Sequence, residues 1–265
     1  MSYRNVTQTV LLLLVCFVCV SLSSCSTGFV FGFSRPTKED NATDVRYLQV
    51  EGSCGGYVFY DKGFYSDGWR YLEAAPADLK LINGTPSINV EDPGYDDATE
   101  RFVFGFYRTY PDYQDDLFVN GTRTYWDYDC TQWKIGSGKR NTELIVKAMR
   151  SSAFTEDHGL YYHETGLDKT SQYAAKLCND LVYKVGDKEF DDWFLPSTYE
   201  LKLLDSVYSY KELGTGGIKI KSYWSSTETP GDPSSAYQYE FDDMGGNCCN
   251  LNRGGYRWVR PVRAF

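Results

Sequence analysis

The sequence predicts an α+β domain, with short helices packed on a twisted antiparallel sheet and a β-rich insertion. Helical patterns with a period near 3.6 residues occupy 142–149, 167–181 and 198–208, in the later middle of the chain. Strand-like aromatic runs bounded by turn residues lie before them and again within 222–265. Because strands and helices are grouped rather than alternating, the order favours α+β over a parallel α/β sheet.

The stretch DDWFLPSTYE gives the sharpest local prediction. Its apolar run, with Trp193 and Leu195, is stopped by Pro196, and Ser197 stands three residues before Glu200. This spacing predicts a capping box, in which each side chain satisfies a free backbone N–H at the start of a helix. The helix that follows is predicted to bury one stripe, formed by Leu201, Leu204, Val207 and Tyr208. We expect this structural motif to organise the domain.

Two further helices are predicted upstream of this motif. Asn141 or Thr142 is expected to cap the first, whose apolar face carries Leu144, Ile145, Ala148 and Met149. The second spans 167–181 and is predicted to bury Tyr173, Ala174, Leu177, Cys178 and Leu181. The preceding GSGKRNT resembles a phosphate loop only briefly, because an arginine stands where such a loop needs Ser or Thr.

Strand predictions cover both ends of the domain. A strand over 57–60 is followed by a predicted turn over 61–63, and another aromatic strand is predicted at 102–107, inside an insertion at 79–126. Further on, 222–226 is a predicted strand.

The last two predicted strands carry the binding candidates. The run 236–241 alternates and places Tyr237, Tyr239 and Phe241 on one face. The closing strand over 256–265 contains Pro261, which implies a sheet edge, a bulge or a strand end.

The N-terminus predicts export and a lipid anchor. Arg4 precedes an apolar run at 10–20 that is too short for an ordinary membrane span. Leu22-Ser23-Ser24-Cys25 resembles a bacterial lipobox, in which the cysteine is lipidated; the alternative is an ordinary secretory signal cleaved nearby. The predicted organisation is a signal peptide at 1–24, a lipidated Cys25 with a tether at 25–50, and one domain at 51–265.

Composition narrows the class of partner. The formal net charge is −9 and no basic stripe is present, so no nucleic-acid partner is expected. Aromatic residues make up 17% of the chain, with 23 Tyr and 6 Trp, which favours many short strands or a surface that binds through ring faces.

The cysteines predict at least one unpaired thiol. Of eight cysteines, Cys16 and Cys19 leave with the signal peptide and Cys25 takes the lipid, so an odd five remain. Candidate bridges are Cys130–Cys178, or Cys178 with one of the two late cysteines. Those two, Cys248 and Cys249, are adjacent and would point to opposite faces of a strand, so they are not expected to pair.

No metal site or catalytic site is predicted. Acid pairs at 91–92, 96–97 and 115–116 lack the Asp-x-Asp-x-Asp-Gly order; calcium remains the alternative to plain solvated loops. His158 and His163 are five residues apart, which suits a polar loop better than zinc ligation on a helix.

Six segments occur in an order that resembles the DUF1566 family, also called the Lcl C-terminal domain: GGYVFYDKG, GSGKRNTELIV, AAKLC, DDWFLPSTYEL, YWSSTE and YRWVRPVRAF. The resemblance covers about 55–265, and covers the 79–126 insertion poorly. It implies a C-type-lectin-like fold, distantly akin to the formylglycine-generating enzyme domain. It also implies a relation to the adhesive end of a bacterial collagen-like surface protein that binds sulfated glycosaminoglycans.

The chain departs from the active relatives at two points. It lacks the Glu-Pro-Asn and Trp-Asn-Asp triplets of calcium-dependent sugar-binding lectins. The oxidases need two separated cysteines for copper, whereas Cys248 and Cys249 are adjacent. We therefore expect a non-catalytic protein without cofactor, with an oxidase as the remote alternative.

The expected function is adhesion from the bacterial cell envelope, with the anchor in the outer membrane and the domain facing the periplasm or the cell surface. Glycan or extracellular matrix is the expected ligand; the alternative is an assembly lipoprotein that binds another envelope protein. The candidate binding residues are Arg257, Arg260, Arg263, Trp224, Tyr237 and Tyr239. The competing interpretation is that one or two of the arginines pair with buried acids such as Asp191, Asp192 or Glu200. The sequence predicts no oligomeric state.

Overall fold

The structure is a computed structural model, and it describes residues 52–89, 100–105, 107–108, 131–149, 160–161, 172–208, 221–230, 232, 235–242 and 245–265. All of them belong to one unit of the chain, Ser34–Phe265. The predicted signal peptide, the lipidated Cys25 and the tether lie outside the described residues.

Short elements follow one another along the described chain. Their order is β1 (Tyr57–Ser66), β2 (Trp69–Ala74), β3 (Lys80–Ile82), β4 (Thr85–Ser87), β5 (Tyr107–Arg108), α1 (Gly138–Met149), β6 (Leu160–Tyr161), α2 (Ala174–Asn179), β7 (Tyr183–Val185), β8 (Lys188–Phe190), α3 (Thr198–Val207), β9 (Lys221–Glu228), β10 (Ser235–Phe241), β11 (Asn247–Asn252) and β12 (Val262–Ala264). This mixture of helices and strands confirms the α+β class.

The strands form several small antiparallel sheets rather than the single sheet that was predicted. Two sheets have three strands, in the orders β1-β2-β12 and β11-β10-β9. The pairs β3-β4, β5-β6 and β7-β8 are two-stranded.

The C-terminal segment pairs with both of the larger sheets. Before Pro261, Trp258 forms a bridge with Tyr223 of β9. After it, β12 pairs with β2, with Val262 opposite Ala74. Pairing with β9 ends at Trp258, and the Pro261 carbonyl accepts a hydrogen bond from the Ala75 amide at 2.8 Å, so the chain changes partner between these two residues.

The closing strand predicted over 256–265 is wrong in its extent, because β12 covers only Val262–Ala264. Of the three alternatives for Pro261, the sheet edge is confirmed, since Pro261 directly precedes an edge strand.

The first hairpin turns later than predicted. Asp67 and Gly68 have φ angles of 52° and 84°, which matches the left-handed pair that a tight hairpin turn requires. The turn predicted over 61–63 is wrong, because β1 runs on to Ser66. Asp61 belongs to the strand and accepts hydrogen bonds from the Gly63 amide and from Arg70 Nε of β2, at 2.7 and 2.8 Å.

Helix α1 begins at Gly138, before both of the caps predicted for it. Thr142 Oγ1 donates to the Gly138 carbonyl at 2.8 Å and accepts from the Leu195 amide at 2.9 Å. Asn141 Nδ2 donates to the Gln132 carbonyl and to Ser226 Oγ, at 2.7 and 3.1 Å. Both side chains therefore hold neighbouring segments instead of capping the helix.

The second predicted helix is shorter within the described residues, because α2 covers only Ala174–Asn179; its predicted stripe is nevertheless buried. Tyr173, Ala174, Leu177, Cys178 and Leu181 are each at most 3% exposed. The predicted residues at 167–171 lie outside the described part of the chain.

Two apolar clusters form the core. The first contains residues of α1, α2 and β9, among them Ile145, Leu177 and Trp224. The second contains residues of β1, α3 and β10, among them Phe59, Leu204 and Phe241. The stripe predicted for α3 is confirmed, because Leu201 and Leu204 are completely buried and Val207 and Tyr208 pack against the second cluster.

Candidate binding surface

The capping box predicted at the start of α3 is present. Ser197 Oγ accepts a hydrogen bond from the Glu200 amide at 3.3 Å, and Glu200 Oε2 accepts one from the Ser197 amide at 2.7 Å. Trp193 is 3% exposed, Leu195 is completely buried and Pro196 is buried, so the run that leads into α3 is internal. The motif fixes where α3 begins and how its first turn faces the surface.

The same carboxylate also holds the loop 131–137. Glu200 Oε1 accepts hydrogen bonds from the Gly136 and Gly138 amides, at 2.7 and 3.4 Å. The Tyr199 amide donates to the Trp133 carbonyl at 3.1 Å. Ser197 Oγ donates to the Lys134 carbonyl at 2.9 Å. The loop is therefore attached to the first turn of α3 through several hydrogen bonds.

Gly136 allows the loop to pass close to the first hairpin. Its φ angle is 85°, and a Cβ atom there would lie 2.8 Å from Cζ2 of Trp69. Only glycine combines the left-handed conformation with so close an approach.

Docking of the loop brings three aromatic rings together, and we call them the aromatic surface: Trp133, Tyr199 and Tyr237. The Trp133 ring centroid lies 4.1 Å from that of Tyr237 and 6.1 Å from that of Tyr199. Tyr199 is 37% exposed, and the other two side chains are partly exposed. The loop, α3 and β10 each contribute one ring.

These rings offer flat apolar faces with polar edges. Burial, and to a lesser degree the nearby Cys248 thiol, raise the pKa of Tyr237. Its hydroxyl therefore stays protonated at neutral pH and can donate a hydrogen bond. A cluster of this kind suits ligands that combine an apolar face with hydroxyl groups.

Two of the three arginines predicted as candidate binding residues, Arg260 and Arg263, are buried, so the prediction is wrong for them. Arg260 is 2% exposed, and its Nε lies 2.6 Å from Asp78 Oδ1. Lys221 Nζ binds the other oxygen of Asp78 at 2.5 Å. Arg263 is 7% exposed and binds both oxygens of Asp192, at 2.8 and 3.0 Å.

Arg263 also lies 3.4 Å from Glu73 Oε2. The competing interpretation, that arginines of the last strand pair with acids such as Asp192, is thus confirmed. These guanidinium groups are used inside the fold because a buried charge needs a partner.

Arg257 is partly exposed but lies away from the aromatic surface. Its Nε donates to Gln238 Oε1, and its Nη1 donates to the Tyr256 carbonyl at 2.6 Å. Gln238 is adjacent to Tyr237 in β10, so the two side chains point to opposite faces of the sheet. Arg257 therefore does not contribute to the surface that carries Tyr237.

Two of the predicted aromatic candidates are also internal. Trp224 is completely buried, and its Nε1 donates to the Phe102 carbonyl at 2.8 Å. Tyr239 is 4% exposed, and its hydroxyl donates to Asp205 Oδ2 at 3.3 Å. Alternation correctly placed Tyr237 and Tyr239 on one face, but α3 covers that face at Tyr239.

The described cysteines are Cys54, Cys178, Cys248 and Cys249, and each carries a free thiol. Because Cys178 carries a free thiol, the predicted bridges from it, to Cys130 or to one of the two late cysteines, are wrong; Cys130 itself lies outside the described residues. Cys248 pairs with Tyr239 and Cys249 with Gln238, on opposite faces of β11. The prediction that the adjacent cysteines do not pair with each other is confirmed.

Within the described ranges, no group of three or more His, Cys, Asp or Glu side chains is arranged to hold a metal ion. The acid pairs of the insertion at 91–92, 96–97 and 115–116 lie outside those ranges, as do both histidines. The calcium alternative therefore stays a prediction.

Sequence reasoning missed Trp133 and Tyr199. Tyr199 stands inside the capping box, at a first-turn position that points away from the helix core. Trp133 sits in TQWKIGSG, between the insertion and α1. A tryptophan in a polar, glycine-containing loop indicates a surface aromatic residue, because such a loop has no apolar core of its own in which to bury the ring.

None of the described helices is long and apolar enough to cross a membrane. Comparison with protein-family models finds no match to this chain. A search of the curated proteins likewise finds no match. The resemblance to the DUF1566 family therefore stays a prediction.

Proposed function

We propose that this protein is a lipid-anchored protein of the bacterial envelope whose domain, C-type-lectin-like and of the DUF1566 type, binds glycan without catalysis. The observation that carries the proposal is the aromatic surface, where three rings from separate elements meet with their side chains partly exposed. The lipobox-like Leu22–Cys25 and the order of the six family-like segments support the anchor and the fold.

Sugar recognition on such a surface works by stacking. The apolar face of a pyranose ring packs on an aromatic ring, while its hydroxyl groups bind polar edges such as the Tyr237 hydroxyl. Lys134 is exposed next to Trp133 in the loop and adds a hydrogen-bond donor. Stacking needs no bridging cation, so we expect binding that is indifferent to calcium.

The test is a glycan array probed with the protein lacking residues 1–25, with calcium and with a chelator. We expect the same sugars to bind in both conditions. Trp133→Ala is expected to weaken that binding about tenfold, which corresponds to ~1.4 kcal/mol. Phe64→Ala is the matched control, because Phe64 is 63% exposed on the first hairpin and lies outside the aromatic surface.

Two results would count against this proposal. A signal lost in chelator would move the site to the acidic loops. A blank array, or binding that Trp133→Ala leaves unchanged, would remove the aromatic surface as the binding site.

The second candidate function is attachment to another envelope protein, and one observation favours it. Phe64 and Tyr65 are 63% and 70% exposed at the end of β1, beside the hairpin turn. Large exposed aromatic side chains are enriched at protein–protein contacts. Crosslinking in intact cells should then capture a partner protein with the unmodified chain but not with the Phe64→Ser, Tyr65→Ser double variant. Equal capture by both forms would exclude the hairpin as the contact site.

A further inference from the structure

We propose that Glu200 is the positioning residue of the aromatic surface, and that ionisation of its carboxyl group loosens the loop 131–137 that carries Trp133. The positioning role stands on the geometry of the described residues. Its consequence for ligand binding rests on the proposed function.

Glu200 is placed to hold the loop because its side chain is completely buried and both of its oxygens are used. Oε1 accepts from the Gly136 and Gly138 amides, and Oε2 accepts from the Ser197 amide. Two of these three donors come from residues 64 and 62 positions earlier in the chain. The carboxyl group thus joins the start of α3 to the end of the loop.

Packing around the carboxyl group is close on the side of the loop. A Cβ atom at Gly138 would lie 2.4 Å from Glu200 Oε2 and 2.9 Å from the Leu195 carbonyl oxygen. The backbone of α1 therefore lies directly against the carboxylate. Since Trp133 is only a few residues before Gly136, and its carbonyl accepts from the Tyr199 amide, its ring position depends on this junction.

Charged side chains do not compensate this carboxylate. The charged residues on the loop, on α1, on α3 and on the segment before α3 are, besides Glu200, Lys134, Lys139, Arg140, Glu143, Lys147, Lys202, Asp205, Asp191 and Asp192. Among the described residues, none of them forms an ion pair with Glu200. Burial raises the pKa of Glu200 to about 7, although its hydrogen bonds from Ser197, Gly136 and Gly138 act in the opposite direction.

The direction of the pH effect follows from the difference between the pKa of Glu200 when the loop is closed and its pKa when the loop is open. When the loop opens, water reaches the carboxyl group and its pKa falls toward the ordinary 4.5. Between these two pKa values the closed form holds a proton that the open form lacks, so rising pH favours opening. The opening constant is expected to rise by up to about tenfold per pH unit across this window and to level off above it, because one proton is involved.

The experiment is hydrogen exchange on the full chain in mild detergent, from pH 5 to pH 8, corrected for intrinsic exchange rates. Mass spectrometry follows peptides that cover 133–140, and a peptide containing Val262 is the internal reference. The variants are Glu200→Gln, which keeps the size of the side chain but cannot ionise, and Glu143→Gln. Glu143 is exposed on α1, so its replacement makes the same chemical substitution away from the junction.

We expect the loop peptide to lose protection as the pH rises in the unmodified chain and in Glu143→Gln, while Glu200→Gln gives a flat profile. An equal profile in all three forms, or a flat profile in the unmodified chain, would overturn the inference. If Glu200→Gln does not fold, a flat profile in the unmodified chain still overturns the inference.

The glycan array separates this inference from the proposed function. If the loop responds to pH through Glu200 but the array is blank, the positioning role is supported and glycan is excluded as the ligand. If the array is positive but protection of the loop does not change with pH, the glycan ligand is retained and the role of Glu200 is overturned.

Discussion

At the residue scale, paired carboxylates decide which cations remain for a ligand. Asp78 binds Arg260 and Lys221, one on each oxygen, and accepts from the Tyr223 hydroxyl at 3.2 Å. Asp192 binds Arg263 through both oxygens. Charges that have left water depend on such partners, since removing one leaves the other unpaired in a medium of low dielectric constant. These arginines therefore act on stability rather than on recognition.

Replacing Arg260 tests that conclusion. We expect Arg260→Ala to lower the free energy of unfolding by about 3–5 kcal/mol, because Asp78 loses a partner in a site where both side chains are 2% exposed. Urea denaturation followed by circular dichroism measures it. Arg140→Ala, an exposed arginine on α1, is the control and should change stability by less than about 0.5 kcal/mol. A similar small change for both variants would contradict the buried network.

The sequence supported this residue-level picture only partly. The Ser197–Glu200 capping box was predictable, because both partners lie within one turn of chain. The further amides bound by Glu200 belong to Gly136 and Gly138, and no local pattern reports a contact across more than 60 residues. Parity placed Tyr237 and Tyr239 on one face correctly, but it could not tell which of them α3 would cover.

At the element scale, the loop 131–137 completes the candidate site, because it places Trp133 beside Tyr199 in the first turn of α3. It has no helix or strand of its own among the described elements. It is held by Glu200 and Ser197 on one side and lies against Trp69 on the other. Its conformation is therefore imposed by tertiary contacts, and local propensity alone would not predict it.

Comparing Gly136→Ala in this loop with Gly63→Ala in β1 separates two costs of adding a Cβ atom, the strain of the left-handed backbone and the steric contact with a neighbour. Gly136 and Gly63 have φ angles of 85° and 86°, but only at Gly136 would a Cβ atom meet a neighbour, the Trp69 ring at 2.8 Å. Gly63→Ala should cost about 1–2 kcal/mol of unfolding free energy for the left-handed conformation. Gly136→Ala should cost clearly more and also shift Trp fluorescence. Equal costs with unchanged fluorescence would show that the loop does not pack on Trp69.

At the scale of the whole molecule, two short segments join the two apolar clusters. Trp193 belongs to the first cluster and Phe194 to the second; Val259 and Val262 are divided in the same way. Phe194 and Val262 exchange both backbone hydrogen bonds, at 2.8 and 2.9 Å. The α+β class was predictable from grouped periodicities, whereas this sharing was not, because it depends on where the chain changes sheet, between Trp258 and Pro261.

This sharing predicts that the described fold unfolds as one cooperative unit. Val262→Ala removes a completely buried side chain between β2 and Phe194, and should cost about 2 kcal/mol. Near-ultraviolet and far-ultraviolet circular dichroism should then report one common, lowered transition temperature, because both clusters lose support together. Val185→Ala, at a side chain 40% exposed in β7, is the matched control and should leave that temperature nearly unchanged. Two separate transitions in Val262→Ala would show instead that the clusters fold independently.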